Sequence, residues 1–180
     1  MGNYFRYVAN FDRKERLGIE SLGEYQKWSY HFGKHENSLV TEAVAYLCVW
    51  PNNSGHRDAQ GLQGTWTGQR VMFVGDDDGH GWEECEGGYS SEGKIVTWNP
   101  ESLYRETRST FKDITAQVLA ELCGRSETMA IRVAKASLTN AKVRKLAFEI
   151  LTMPDPLTKD LQGHMEREWG RPLGEIPDAP

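Results

Sequence analysis

Two hydrophobic periods share this chain, and together they restrict it to a mixture of sheet and helix. Residues 4–11, Tyr-Phe-Arg-Tyr-Val-Ala-Asn-Phe, alternate Phe5, Tyr7, Ala9 and Phe11 against Tyr4, Arg6, Val8 and Asn10, which is strand spacing. Far downstream the apolar residues recur at helical spacing: Ala130, Ile131, Ala134 and Leu138, then Val143, Ala147 and Ile150. At about 100° per residue those two stripes do not share a face. The spacing therefore predicts a break near Thr139 and Asn140, with Thr139 capping a new helix.

Punctuation residues supply the other elements. The charged turn Asp12-Arg-Lys-Glu15 leads into a short returning strand from Arg16 to Glu20, so residues 4–20 read as a hairpin. Residues 23–32 look helical, and Gly33 is their stop. Asn37 or Ser38 caps a helix carrying Leu39, Val40, Ala43, Val44, Tyr46, Leu47 and Trp50, which Pro51 ends. Residues 65–74 form a second strand, bent near Gly68, and residues 93–98 a third. Asp113 caps Ile114 to Cys123, Gly124 stops that helix, Ser126 opens the next, and Pro154 ends the last core helix. Leu157, Leu161, Met165 and Trp169 recur every four residues in a C-terminal helix, followed by a loose Pro/Gly tail. The whole reads as α+β: a small, mainly antiparallel sheet with helices packed on one side and a C-terminal helical arm. The expected division is one α+β domain over residues 1–153 and an arm over 154–180.

A chain of 180 residues can bury a core without disulfides or a structural metal. The three cysteines, Cys48, Cys85 and Cys123, form no CxxC pair, so reduced thiols in a cytoplasmic protein are expected. No apolar stretch approaches the roughly 20 residues that span a bilayer, and no leader is visible; no membrane is expected. Net charge is −5, and it is uneven: residues 51–92 carry two basic and eight acidic side chains, residues 93–153 ten and six. A chain acidic overall is not expected to bind nucleic acid generally.

The acid is concentrated in Val-Gly-Asp-Asp-Asp-Gly-His-Gly-Trp-Glu-Glu-Cys-Glu-Gly-Gly, residues 74–88, which holds six carboxylates and one histidine. Asp76, Asp78, His80 and Glu83 are the candidate ligands of a divalent cation. In an EF-hand register with Gly81 at the turn, the twelfth position is Gly87, not the bidentate glutamate, and the match fails there. Acid–base catalysis needs a held geometry, which Gly75, Gly79, Gly81, Gly87 and Gly88 oppose. Nucleophile elbow, P-loop, GxGxxG and HExxH motifs are absent from the sequence. Trp82, an indole among carboxylates, has the character of an interface anchor. Trp169, with Leu161 and Met165, offers a clamp for a partner or for a second copy, giving a homo-oligomer through the arm, or else folds back on its own domain.

Arg125, Arg132, Lys135, Lys142, Arg144 and Lys145 make a basic helical stretch that suits a phosphate-bearing ligand or RNA. Blandly read, it is two solvated helix faces. His31 and His35 stand four apart, but Gly33 interrupts them and no third ligand is near; His56 and His164 have no visible partner. Trp28, Trp50, Trp66 and Trp98 are expected in the core.

Three stretches carry a resemblance: residues 4–16, Tyr-Phe-Arg-Tyr-Val-Ala-Asn-Phe-Asp-Arg-Lys-Glu-Arg; residues 64–76, Gly-Thr-Trp-Thr-Gly-Gln-Arg-Val-Met-Phe-Val-Gly-Asp; and Lys112-Asp-Ile-Thr115. Together they resemble a family of small uncharacterised bacterial, phage and fungal proteins, over roughly the first 120 residues. The resemblance brings no activity with it. It implies that Asp12, Glu15, Trp66, Gly68, Arg70 and Asp76 belong to one arrangement, in which Arg70 could pair with Asp12 or Glu15. The longer acidic insertion after Asp76 departs from that pattern.

The leading expectation is a non-catalytic interaction module. It would engage a protein or cationic partner through Arg70, Asp76, Asp77, Asp78, Trp82 and Glu83, with no cofactor. A metal-assisted hydrolase around Asp76, Asp78, His80 and Glu83, and a phosphate or RNA binder using Arg125, Arg132, Lys135, Lys142 and Lys145, are the alternatives.

Overall fold

The computed structural model describes residues 5–9, 13–22, 38–49, 61–75, 85–89, 95–98, 105–107, 109–153 and 159–177. The protein is α+β. Its strands are β1 (Phe5–Ala9), β2 (Glu15–Arg16), β3 (Val71–Gly75), β4 (Cys85–Tyr89), β5 (Ile95–Trp98) and β6 (Lys112–Asp113). The helices given for the described residues are α1 (Leu39–Cys48), α2 (Thr115–Arg125), α3 (Glu127–Thr139), α4 (Ala141–Leu151) and α5 (Lys159–Trp169), with 3-10 turns at Ile19–Leu22 and Leu173–Glu175. Contacts divide the chain into two interleaved compact units. One comprises Met1–Ile19, Tyr25–Glu36 and Trp66–Ile114; the other comprises Glu20–Glu24, Asn37–Thr65 and Thr115–Pro180. Residues 154–180, expected as a separate arm, group with the second unit.

The first unit holds a four-stranded sheet in the order β3-β1-β2-β6. β1 pairs antiparallel with β3, from Phe5 opposite Gly75 to Ala9 opposite Val71, and antiparallel with β2; β2 pairs parallel with β6. Strand alternation sorts the side chains. Val8 and Val74 are buried with Phe111, with Met72 against them, while Tyr7 and Phe73 meet directly opposite each other with ring centroids 4.6 Å apart. The hairpin expected over residues 4–20 is present but short: the return strand is two residues long, and Ile19–Leu22 is a 3-10 turn instead.

The strand expected from residue 65 begins only at Val71. Gly68 sits at φ +77°, a left-handed conformation that an extended strand cannot contain, so residues 65–68 turn. The acidic loop is shorter than expected at its far end. Residues 85–89 are strand β4, paired antiparallel with β5, and the register shifts between Glu86 and Tyr89 around Gly87 and Gly88.

The second unit is helical. Ser38 caps α1 by accepting from Thr41 N, and Ser126 caps α3 by accepting from Met129 N, both at 3.4 Å. The expected break falls where the stripes change face, but the cap is Asn140, not Thr139. Its Oδ1 accepts from Lys142 N at 3.0 Å and Val143 N at 3.3 Å. Gly124 does not stop α2, which runs to Arg125, and Asp113 is in β6, its carboxylate ion-paired to Arg16 at 2.8 Å. α4 ends at Leu151, before Pro154.

α5 packs chiefly on α3, with Leu161 and Met165 fully buried. Trp169 Nε1 donates to Ser137 Oγ at 3.0 Å, and the Arg144 guanidinium lies over its ring at 4.7 Å. The three residues expected as a clamp are thus used within this unit. Residues 23–37, with the helix expected over 23–32, Trp28, His31 and His35, lie outside the described residues, as do Trp50 and His56.

Candidate functional site

Asp76, Asp77, Asp78, His80, Trp82 and Glu83 lie outside the described residues. What the structure gives is the setting of their segment. Residues 76–84 leave the end of β3, where Gly75 is paired with Phe5, and enter β4, where Cys85 is paired with Trp98. Arg70, half-buried, immediately precedes β3 and is not free of interactions. Of its two expected partners, Glu15 accepts from Trp66 and lies near Arg13, and Asp12 lies outside the described residues.

Glu15, Trp66 and Arg6 organise the polar interior of the sheet unit. The Glu15 carboxylate, 6% exposed, accepts from Trp66 Nε1 at 2.9 Å and has Arg13 at 3.8 Å. Trp66 is in the core as expected, from a turn and not from a strand. This bond joins two of the residues that the resemblance placed in one arrangement. Arg6, on the core face of β1 and 4% exposed, donates to Thr107 Oγ1 at 3.3 Å. A carboxylate buried at this depth is stable only when hydrogen-bonded, so Glu15 serves to hold residue 66 against β2.

Glu121 has the corresponding position in the helical unit. Its two oxygens accept from Leu62 N at 2.9 and 2.8 Å, and Oε2 also accepts from the Tyr46 hydroxyl at 2.7 Å. Burial first, and then the hydrogen bond to Glu121, push the Tyr46 phenol well above its ordinary range. Gly61 stands so close that a Cβ there would lie 2.5 Å from the Glu121 carboxylate. Arg125 donates to Gln63 Oε1 at 2.9 Å and lies 5.6 Å from the Tyr46 ring centre. Residues 61–64 are thereby strapped to α1 and α2. Sequence reasoning missed Glu121 because its partners are 59 and 75 residues away and no local pattern marks it.

The basic residues divide by role. Arg125 is in the strap. Arg132 pairs with Glu42 at 3.3 Å, and Arg144 donates to the carbonyls of Ser137 and Leu138 at the end of α3. Lys135, Lys142 and Lys145 are exposed, and their side chains make no ion pair or hydrogen bond among the described residues. His164, for which the sequence offers no partner, is buried with Nε2 3.7 Å from Glu127 Oε1 and Nδ1 3.4 Å from Arg167 Nη1. Burial pushes the Cys123 thiol up to about 12, which makes it an inert core thiol.

Among the described residues, no three His, Cys, Asp or Glu side chains gather as metal ligands, and no helix is long and apolar enough to cross a membrane. No family model, curated protein or solved structure matches the chain.

Proposed function

We propose that the protein is a non-catalytic interaction module of the cytosol that engages a cationic protein segment through residues 76–86, with Trp82 as the apolar anchor. The observation that carries this reading is the anchoring of the acidic segment. Both of its ends are hydrogen-bonded into strands, β3 on one side and β4 on the other. Both flanks of the acidic segment are ordered before a partner arrives, so binding does not bear the cost of ordering them. The buried Glu15 and the half-buried Glu121 are committed to holding Trp66 and residues 61–64. Residues 76–84 add five carboxylates with no lysine or arginine among them, a field that steers positive ligands.

The test is fluorescence anisotropy of a labelled Lys/Arg-rich peptide against the full chain. Binding is expected at low salt and weakens as salt rises. Asp76→Asn, Asp77→Asn and Asp78→Asn combined should lower affinity by about tenfold or more, and Trp82→Ala by about thirtyfold, the scale of an interface anchor. Unchanged binding in both variants overturns the reading. So does a melting temperature that rises with millimolar Mg²⁺ or Ca²⁺ and loses that rise in the triple variant, because this would mark the segment as a metal site.

A further inference from the structure

We propose that the outward faces of α3 and α4 form a second binding surface, which takes the phosphate backbone of a nucleic acid through Lys135, Lys142 and Lys145. Residues 128–148 contain five basic side chains and no acidic one, in a chain whose net charge is −5. The fold uses the two arginines of this stretch internally. Arg132 pairs with Glu42, and Arg144 closes the end of α3 and covers Trp169. The three lysines are left exposed and without a partner among the described residues.

Helical geometry explains why they point away from the core. On α3 the buried stripe is Ala130, Val133, Ala134 and Ser137, and Lys135 stands opposite it. On α4 the buried stripe is Val143, Leu146, Ala147 and Ile150, and Lys142 and Lys145 share the opposite side with Glu149. A single residue, Asn140, joins the two helices, and they pack on each other. The lysines therefore belong to one region of a single unit.

The chemistry of the surface selects the partner. Lysine is a mobile point charge that suits phosphate oxygens; it lacks the planar fork by which arginine reads a base edge. Protein interfaces are depleted in lysine and depend on buried aromatic anchors. The large hydrophobic side chain exposed on this stretch is Leu138, at 37%. The surface is thus suited to sequence-independent contact with a polyphosphate strand and poorly suited to a protein partner. It operates against the charge of the whole chain, so the expected contact is short-range and salt-sensitive.

The experiment uses the full chain, a fluorescein-labelled single-stranded RNA and a labelled duplex DNA. Binding is followed by anisotropy from about 50 to 200 mM KCl. Three phosphate contacts give a slope of log affinity on log salt near about −2.7 for duplex and about −2.1 for single strand. Each single Lys→Gln variant should reduce the slope by about 0.7 to 0.9, and K135Q/K142Q/K145Q should abolish binding. Because all three side chains are exposed, the triple variant should keep its circular dichroism melting curve, and it should still bind the Lys/Arg-rich peptide, which separates this surface from residues 76–86. Absence of binding at the lowest salt, or a slope unchanged in the triple variant, overturns the proposal. Tighter binding of a poly-Glu peptide than of either nucleic acid through the same lysines also overturns it, in favour of an acidic protein partner.

Discussion

At the scale of single residues, two carboxylates do most of the specifying. Glu15 receives the Trp66 indole, and Glu121 receives Tyr46 and the backbone of Leu62. Hydrogen bonds to a charged acceptor contribute about 1.5–3 kcal/mol, roughly twice a neutral one. Tyr46→Phe tests the second. At pH 7 it should cost about 1–2 kcal/mol in urea denaturation. Its pH dependence has a fixed sign. The fold raises the Tyr46 phenol above its ordinary value of 10.0, so the stabilisation is complete below pH 10 and is lost as pH rises beyond it. The gap between the native protein and the variant should therefore narrow above pH 10, and a gap constant to pH 11 would contradict the assignment. Neither carboxylate was legible as a structural residue. The resemblance groups Glu15 with Trp66 and offers Asp12 or Glu15 as the partner of Arg70, and no local pattern marks Glu121. A partner 51 or 75 residues away leaves no trace in local spacing.

At the scale of elements, periodicity and serine caps are legible where they act locally, while Asp113 and Gly124 do not bound α2 as expected. Ser38, Ser126 and the face change at residues 139–140 all locate helix boundaries, because a cap depends only on the next three backbone amides. The expected cap Thr139 and the observed cap Asn140 are one residue apart, and both side chains can accept from those amides. Asn140→Ala should cost about 1 kcal/mol, since two N–H groups of α4 lose their acceptor; Asn140→Asp should keep most of that stability in thermal melts. Strands were read less well. Thr65 and Trp66 have strand composition but turn, because Gly68 adopts a positive φ, and a glycine's φ is invisible in sequence. β4 was hidden in the acidic run for a similar reason. Its Gly87 and Gly88 suggest a loop, yet they form the irregularity within a strand whose Cys85, Glu86 and Tyr89 pair with β5. Of the site, the β3 flank and the basic helices are legible in the sequence; the β4 flank and the internal use of Arg132 and Arg144 are not, since the latter depends on Glu42 and Trp169 arriving from other helices.

At the scale of the molecule, segments from three parts of the chain build each unit, so neither can be cut out by one scission. The boundary expected at residue 153 rests on a change of composition along the chain, and the two compact units rest on packing. A fragment of residues 115–180 keeps α2 to α5 but loses α1, and Glu121 loses both of its partners. It should melt at a lower temperature and over a broader range than the whole chain by circular dichroism; a sharp transition at the parent temperature would show that α1 is dispensable. The same interleaving bears on how the protein is made. Arg6 is buried against Thr107, which leaves the ribosome 101 residues later. At elongation rates of roughly 5–20 residues per second, the first strand waits about 5–20 s for that neighbour. During that interval a nascent guanidinium and its flanking aromatic strand are open to chaperones, and the speed of translation becomes a variable in the yield of native protein.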